Sequence, residues 1–511
     1  MDLKYVMLLS MGAYMIAVII IGFITARRTK TTADYYLGGR TLGPWIAAMS
    51  AEASDMSSWL LMGLPGVAYL LGVADATWTA IGLAVGTYLN WLLVARRLRT
   101  YTIVANDSIT LPDFFSNRFH DKNRILMSVS ALIILVFFIP YTASGFAACG
   151  KLFNSLYGFD YMTAMLISAA VVVLYTAIGG FLAESITDLV QGFIMSFALI
   201  VILIFGVIYA GGVGAVIDNA SKMSGFLSMF QMHLRESNSA SPYGIFTIVS
   251  TLAWGLGYFG MPHILLRFMA ISSTKELKKS RIIACTWCFI SLAAAILIGL
   301  VGAVALPDLL KGSANMASDS ETVFIKLAEL LSSYGVIAAI FAGIIISGIL
   351  AATMSTSDSQ LLVASSSIAQ NFFKGYVKKN ATEKQVMWIA RATVILIAVI
   401  SAYIARDPYS NIFDIVSYAW AGFGAAFGPV ILFSLFWKRT TLLGALSGML
   451  SGAAMVVIWD TLGKTTGGVF KLYELLPAFI IACIFIVVVS LIDKKPSDEI
   501  QTEFDKVKAS V

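Results

Sequence analysis

Long apolar stretches separated by short polar segments follow one another along the chain from Tyr5 to Ile492. At about 20 residues, each can cross the ~30 Å hydrocarbon core of a bilayer as a helix. The pattern lacks the short alternating segments of membrane β-strands. The sequence therefore predicts an all-α integral membrane protein with about thirteen transmembrane helices. Their centres lie near Tyr14, Trp59, Ala84, Leu135, Val171, Ala198, Leu252, Ala294, Ile345, Ile395, Gly422, Ala453 and Ile484.

The basic residues in the polar segments predict the orientation of these spans. If the first span starts outside, Arg27, Arg28 and Lys30 follow it on the inside, and the inner segments hold 26 of the 35 Lys and Arg residues. Such a bias marks the cytoplasmic side of membrane proteins. We therefore expect an external amino terminus on a first span within residues 1–30 and a cytoplasmic tail at residues 494–511.

Composition supports the lipid bilayer as the surrounding medium. Hydrophobic residues make up 59% of the 511 residues and charged residues only 13%, against roughly 25% charged in soluble chains. Mean hydropathy is +0.84. The net charge of +6 follows from the inward bias of basic residues, so it does not indicate nucleic acid as a partner.

Signatures of enzymes are weak in this sequence. Gly255, Gly257 and Gly260 spell G-x-G-x-x-G, but they lie inside a predicted span and not between a strand and a helix that could meet a pyrophosphate. The chain has three histidines, none spaced with another as metal ligands. Asp55 and Asp188 could form the acid pair of an intramembrane protease, which is the enzyme alternative. The favoured interpretation is a protein that is not an enzyme.

Two predicted spans contain residues that are unusual inside a bilayer. The second carries Asp55 among hydroxyl residues and is followed by Gly63 and Pro65, and the seventh is interrupted between Trp254 and Pro262. An ionisable residue at the centre of a membrane helix costs at least ~2.5–3.5 kcal/mol, which favours a functional role for Asp55 over a structural polar bridge. Interrupted spans five apart indicate an inverted-repeat transporter, whose broken helices offer free N–H and C=O groups to a substrate and a cation.

The ninth span is unusually rich in hydroxyl groups. Residues 353–359 hold five Ser or Thr side chains and one acid. A single Ser or Thr in a membrane helix usually bonds back to its own helix. A cluster of this density instead indicates a site for a hard cation such as Na⁺, which takes hydroxyl and carbonyl ligands.

At these positions the chain resembles the sodium/solute symporter family and, within it, the bacterial sodium/proline symporters, from about Asp34 to about Lys495. The blocks that carry the resemblance are Tyr36-Leu-Gly-Gly-Arg40, Ser54-Asp-Met-Ser57, Trp254-Gly-Leu-Gly-Tyr-Phe-Gly260, Met354-Ser-Thr356 and Ser417-Tyr-Ala-Trp-Ala-Gly-Phe-Gly-Ala-Ala-Phe-Gly-Pro429. The family implies a LeuT-type core of five plus five inverted spans, expected at residues 40–439, with two peripheral helices at 440–493.

The resemblance also implies two sites. The sodium ion would bind the carbonyls of Ala53, Met56 and Ala352 and the hydroxyls of Ser355 and Thr356, with the charge of Asp55 beside them. The substrate pocket would be formed by Ser57, Trp59, Tyr141, Trp254, Tyr258 and Pro262. Ser58 and Met261 depart from the pattern expected beside this pocket, where glycine and glutamine are expected.

The implied function is sodium-coupled uptake of L-proline, or a similar small zwitterion, across the bacterial cytoplasmic membrane by alternating access, with Na⁺ as the coupling ion. A sodium-coupled symporter of another amino acid, a vitamin, a sugar or sialic acid is the alternative within the family. A passive facilitator is the alternative class, but it would have no need for an acid opposite a hydroxyl cluster.

A second polar group extends beyond the residues implied by the family. Asp188 starts the sixth span, and Asp358 and Ser359 lie one turn further inward than Ser355. Spans six and nine are expected to pack together in a five-plus-five core. We therefore predict a second cation site or an exit path for Na⁺ here, the alternative being that both acids are hydrated interfacial charges.

Overall fold

The computed structural model describes residues 2–26, 31–378 and 380–510. Arg27, Arg28 and Lys30, which entered the charge argument, lie outside the described residues. All thirteen predicted centres fall within helices. In chain order, spans 1 to 13 comprise Leu3–Ala26; Pro44–Asp55 with Trp59–Gly63 and Leu64–Leu71; Val73–Leu89 with Asn90–Val94 and Ala95–Val104; Ile125–Tyr157; Tyr161–Gly179; Phe181–Tyr209; Ile245–Leu252 with Ala253–Phe259 and Pro262–Ala270; Leu277–Ala305; Val336–Ser366 with Ser367–Val377; Glu383–Ile404; Ile412–Phe436; Leu442–Thr465; and Leu475–Ile492.

Length and hydropathy separate the regular spans from the interrupted ones. Within the described residues, ten helices are long and apolar enough to cross a membrane, and span 7 adds an eleventh when its two bent parts are joined. Two shorter apolar helices, Trp59–Leu71 and Tyr161–Ala177, coincide with the remaining predicted spans 2 and 5. The prediction of an all-α membrane protein is confirmed.

Both predicted breaks are present. Span 2 leaves α-helical geometry after Asp55, where Ser57 has a φ of +29°, and resumes as a π-helical turn from Trp59 to Gly63. Span 7 narrows to a 3₁₀ helix over Ala253–Phe259 and bends by 44° before its last segment. Pro65 and Pro262 lie at the start of the segments that follow the breaks, where the missing N–H of proline would have no helical partner. The breaks therefore place helix ends, with backbone N–H and C=O groups that lack helical partners, in the centre of the fold.

The glycines of the rejected dinucleotide motif serve helix packing. A Cβ on Gly255 would lie 2.2 Å from the carbonyl oxygen of Gly82 on span 3, and a Cβ on Gly257 only 1.9 Å from the indole nitrogen of Trp420 on span 11. A Cβ on Gly260 would meet a span 11 carbonyl at 2.2 Å. No side chain fits these positions, so the glycines let span 7 approach both neighbours closely.

The connections between the spans are mostly short helices. The β-strands Gln231–Leu234 and Ser239–Pro242 form an antiparallel hairpin between spans 6 and 7, which the sequence did not predict. The short helices are Thr32–Leu37, Gly38–Arg40, Leu111–Arg118, Val213–Ser221, Thr274–Glu276, Met316–Ser320, Val323–Ser332, Gly468–Lys471 and, after the last span, Asp498–Ser510.

Candidate cation and substrate site

Span 9 contacts the break in span 2 through Ser355. Its hydroxyl donates to the carbonyl of Ala53 at 2.8 Å and lies 3.2 Å from the carbonyl of Ala352. Thr356 is buried, and its hydroxyl has no hydrogen-bond partner among the described residues. A buried polar group without a partner is costly, and hydroxyl and carbonyl oxygens are the ligands that hard cations take. These four residues therefore fit a small hard cation.

Asp55 and Met56 lie at the same break. The carbonyl of Met56 accepts a long hydrogen bond of 3.2 Å from the backbone of Leu60. The Asp55 carboxylate accepts from the Tyr258 hydroxyl at 2.5 Å through Oδ2, whereas Oδ1 has no partner in the described part of the chain. The Asp55 carbonyl also accepts from Tyr141 at 3.2 Å. Asp55 thus keeps one carboxylate oxygen available within a buried site.

The predicted substrate residues Trp59 and Trp254 come together, one from each broken span. Their ring centres lie 6.1 Å apart. Phe413 contacts both rings, at 6.4 and 5.3 Å, and Tyr473 stacks on Trp254 at 5.0 Å. The sequence argument did not select Phe413 or Tyr473. The aromatic walls are therefore closed on one another in this structure.

The remaining predicted substrate residues take different positions. Tyr141 donates to the carbonyl of Asp55, and Tyr258 donates to its carboxylate. Two residues predicted for the substrate pocket therefore bond to a residue predicted for the sodium site. The hydroxyl of Ser57 accepts from the backbone N–H of Trp59 at 3.3 Å. Pro262 is buried at the first position of its helix in span 7. The structure gives Pro262 a role in starting this helix.

A buried ion cluster surrounds Arg267 of span 7, and we call it the arginine cluster. The guanidinium donates to Glu184 and Asp188 of span 6, the latter at 3.3 Å, and to the hydroxyl of Ser359 at 2.7 Å. It also donates to Ser50 of span 2 at 3.0 Å, and Ser50 donates to Asp188 at 2.6 Å. All five side chains are buried. The planar guanidinium of Arg267 therefore joins spans 2, 6, 7 and 9.

Asp188 and Ser359, two of the three residues of the predicted second site, meet at this guanidinium, whereas Asp358 does not bond to it. One Asp358 oxygen accepts from the backbone N–H of Ser359 at 2.7 Å, and the other has no partner among the described residues. Asp188 and Asp358 are both buried, so they are not the hydrated charges that the alternative required.

A smaller ion cluster, the lysine cluster, lies in the region that the charge pattern places outside. Lys151 of span 4 donates to Glu321 at 2.6 Å and to the carbonyl of Ser410 at 2.5 Å. The other Glu321 oxygen accepts from the backbone N–H of Phe413 at 3.0 Å. Because Phe413 touches Trp59 and Trp254, this cluster is directly linked to the aromatic walls.

Sequence reasoning missed the central residues of both clusters. The charge pattern predicts Arg267 only as a basic residue of an inner segment, and Glu321 lies between predicted spans 8 and 9, on the predicted outer side. Lys151, near the end of span 4, is a signal for the lysine cluster, since a lysine within an apolar span needs a partner. Its partner could not be identified without the fold.

In this multi-pass membrane protein, two broken helices face a hydroxyl-rich helix, and ion clusters are buried between the spans. This arrangement is typical of a secondary transporter and not of an enzyme. Comparison with known proteins agrees. Residues 35–452 match the sequence profile of the sodium:solute symporter family, and the chain belongs to this family.

Full-length relatives extend this result. The chain is 45% identical to the sodium/proline symporter of Escherichia coli over 98% of this chain and 96% of that protein. It is equally identical to the sodium/proline symporter of Haemophilus influenzae, over 98% and 97% of the two chains. It is 44% identical to the high-affinity proline transporter PutP of Bacillus subtilis, over 95% and 98%.

Solved structures share the fold. A Na⁺-coupled sialic acid symporter in a substrate-bound outward-open state superposes with a TM-score of 0.77 and 19% identity, over 97% of this chain and 100% of that chain. The nucleobase-cation-symport-1 family transporter Mhp1 gives a TM-score of 0.54 and 14% identity, over 93% and 99%. At these identities the likeness establishes the LeuT-type fold alone.

Proposed function

We propose that this chain is a sodium-coupled symporter that carries L-proline into the cell by alternating access. The observation that carries the proposal is the 45% identity, over nearly the whole chain, with a sodium/proline symporter. The geometry supports it, because the predicted sodium and substrate residues meet at Asp55. A related symporter of another small solute is the alternative within the family.

In the proposed sodium site, the ion replaces internal hydrogen bonds. The carbonyls of Ala53, Met56 and Ala352 would each supply a ligand, together with the hydroxyls of Ser355 and Thr356. Thr356 then gains the partner that it lacks, and Ser355 turns from donor to ligand. The Asp55 oxygen that has no partner in the described part of the chain would supply negative charge nearby. Bound Na⁺ would thus hold span 9 against the break in span 2.

The substrate would bind between the two broken spans. A pyrrolidine ring is compact and largely apolar, which suits walls made of Trp59, Trp254, Tyr141 and Tyr258. The start of the helical segment beyond Asp55 favours the carboxylate of the substrate. Because the tryptophan rings now touch Phe413, substrate entry requires Phe413 and the lysine cluster to move.

Alternating access would use the two ion clusters as closures. With the amino terminus outside and the carboxyl terminus inside, the lysine cluster faces outward and the arginine cluster inward. Both are formed here, as they would be in a closed intermediate between the two open states. Each half of the cycle would open one cluster while the other stays intact.

The sodium gradient can supply the required energy. One Na⁺ moving down ~100 mV releases ~2.3 kcal/mol. A tenfold concentration gradient adds ~1.4 kcal/mol, and the sum would sustain roughly 500-fold accumulation of a neutral zwitterion.

Asp188, Asp358 and Ser359 would serve the exit path of Na⁺. The guanidinium of Arg267 already provides a cation between Glu184 and Asp188, which favours a closure on the exit path over a second sodium site. Asp358, one oxygen of which has no partner among the described residues, is the remaining candidate for transient contact with the ion.

Uptake of labelled L-proline into proteoliposomes tests the proposal. We expect accumulation with an inward Na⁺ gradient and none without it. Asp55→Asn keeps the shape but removes the charge, so Na⁺-driven uptake should fall at least 100-fold, as expected for several kcal/mol lost from a buried cation site. Ser355→Ala and Thr356→Ala should chiefly raise the Na⁺ concentration at half-maximal uptake.

The alternatives give different results in the same assay. Proline that equilibrates without Na⁺ dependence would indicate a facilitator. If a sugar or sialic acid competes better than proline and its ring analogues, the substrate assignment is wrong while the family remains. Unchanged Na⁺ dependence in all three variants would contradict the proposed sodium site.

A further inference from the structure

Trp420 of span 11 lies outside both candidate sites, yet it contacts the broken part of span 7 in three ways. Its indole N–H donates to the carbonyl of Trp254 at 2.8 Å. Its ring meets the ring of Tyr258 edge-on, at 5.1 Å and 88°. Its indole nitrogen also lies where a Cβ on Gly257 would clash, at 1.9 Å. The 3₁₀ segment of span 7 therefore packs closely against this buried side chain.

Tyr258 connects this contact to the candidate sodium site. Its hydroxyl donates to the Asp55 carboxylate at 2.5 Å, and its ring position is fixed by the edge of Trp420. The second Asp55 oxygen is the one without a partner among the described residues. A continuous path of contacts thus leads from span 11 through a substrate-wall residue to the carboxylate beside the cation ligands.

Two properties of a transporter can vary independently, namely its affinity for each ligand and the coupling between the two ligands. Coupling between two ligands is a free energy that is reciprocal, so each ligand changes the affinity of the other by the same factor. A side chain that only lines a pocket changes the affinity for its ligand with or without the other ligand. A side chain that holds Tyr258 against Asp55 changes the factor that links the two affinities.

We propose, on the basis of the sodium/proline symport proposed above, that Trp420 is a positioning residue that holds Tyr258 against Asp55 and thereby sets the coupling between cation and substrate binding. Its indole N–H fixes the Trp254 carbonyl, and its ring edge fixes the phenol. Span 11 thereby contributes to the strength of coupling although it supplies no ligand to either site.

The test measures labelled L-proline binding to the purified full-length protein at zero and saturating Na⁺, with choline as the replacement cation. The ratio of the two Kd values is the coupling factor. Trp420→Phe keeps an aromatic ring but removes the indole N–H. We expect it to lower the coupling factor about fivefold, as for the loss of one hydrogen bond, while proline binding without Na⁺ changes less than twofold.

A double-mutant cycle with Tyr258→Phe tests the path itself. Tyr258→Phe should lower the coupling factor by a similar amount, and adding Trp420→Phe should have no further effect, because both changes interrupt the same path. Gly257→Ala, which must displace the indole, should act like Trp420→Phe and provides a second variant if that one is unstable. Trp287→Phe is the matched control, since the indole of buried Trp287 donates to Ser196 at 2.6 Å, between spans 8 and 6.

Each outcome is decisive. An equal loss of proline affinity with and without Na⁺ in Trp420→Phe would reduce Trp420 to a packing residue and overturn the inference. An unchanged coupling factor, or additive losses in the double variant, would also overturn it. If the parent protein itself shows no effect of Na⁺ on proline binding, the proposed function fails first and the inference fails with it.

Discussion

The two ion clusters lie toward opposite ends of the same core but are built differently. The arginine cluster joins side chains from four spans through one guanidinium, which carries five N–H donors in a rigid plane. The lysine cluster joins span 4, the start of span 11 and two connecting segments, and two of its three hydrogen bonds use backbone groups. The first fastens helices to each other, whereas the second fastens segments at helix ends.

This difference predicts which end opens more readily. Separating the arginine cluster exposes a guanidinium and leaves two carboxylates unpaired within the core, which costs several kcal/mol. Separating the lysine cluster frees one ammonium and one carboxylate, so fewer buried charges lose a partner than at the arginine cluster. We therefore expect the empty transporter to open outward more easily than inward, as a symporter that collects substrate from outside requires.

Arg267→Gln should have the largest effect of the changes that test this asymmetry. It leaves Glu184 and Asp188 without a cation and should destabilise the inner closure by about 3–5 kcal/mol. Na⁺-driven proline uptake in proteoliposomes should then fall more than 100-fold. Arg267→Lys is the control, because it keeps the charge but not the fork, and it should recover part of the activity. Uptake at the parental rate in Arg267→Gln would contradict the closure.

Glu321→Gln should have a smaller effect at the other end. The amide oxygen can still accept from the backbone of Phe413, but Lys151 loses its ionic partner, which costs about 1.5 kcal/mol. The maximal uptake rate should fall about tenfold, while proline affinity should not weaken, because an outward-open state binds external substrate. The double variant Lys151→Met with Glu321→Gln removes both charges and should recover part of the rate. A weaker proline affinity in Glu321→Gln would mean that the lysine cluster supports the pocket and does not close it.

The charge moved per proline decides between the two roles considered for the acids near the arginine cluster. Because the guanidinium already balances part of the acidic charge, we expect about one positive charge per proline in the parent, in Asp188→Asn and in Asp358→Asn. Parallel measurement of current and labelled uptake in proteoliposomes gives this ratio. A parental ratio above one that falls in either variant would instead establish a second cation site.

The sequence predicted the spans and both breaks because their signals are local. Twenty apolar residues, an acid among hydroxyls, or glycines followed by proline can each be recognised within one window. The role of Arg267 could not be predicted this way, since a buried arginine at the inner end of a span looks like one that faces the cytoplasm. The contact of Trp420 with Trp254 joins residues 166 positions apart. Such pairs depend on packing between spans, which no single window contains.

The helix after the last span packs on the same end of the core as the arginine cluster, and testing it should give the smallest effect. Phe504 is buried between Tyr101 and Arg118, at 6.4 and 5.6 Å, and Asp505 pairs with Lys438 at 2.5 Å. A helix of 13 residues is marginal alone, so its order depends on this docking.

Phe504→Ala should weaken that docking by about 1–2 kcal/mol, because most of the ring is buried. Backbone amides of Asp498–Ser510 should then exchange hydrogen about tenfold faster, while proline uptake changes less than twofold. The control is Phe485→Ala on span 13, where the ring is 45% exposed and should not affect the tail. A large loss of uptake in Phe504→Ala would show that the inner closure depends on the tail as much as on the arginine cluster. The tail could act through span 11, because that span ends beside Lys438 and because Arg118 donates to the carbonyl of Ser434. Unchanged exchange would show that the polar contacts alone hold the helix in place.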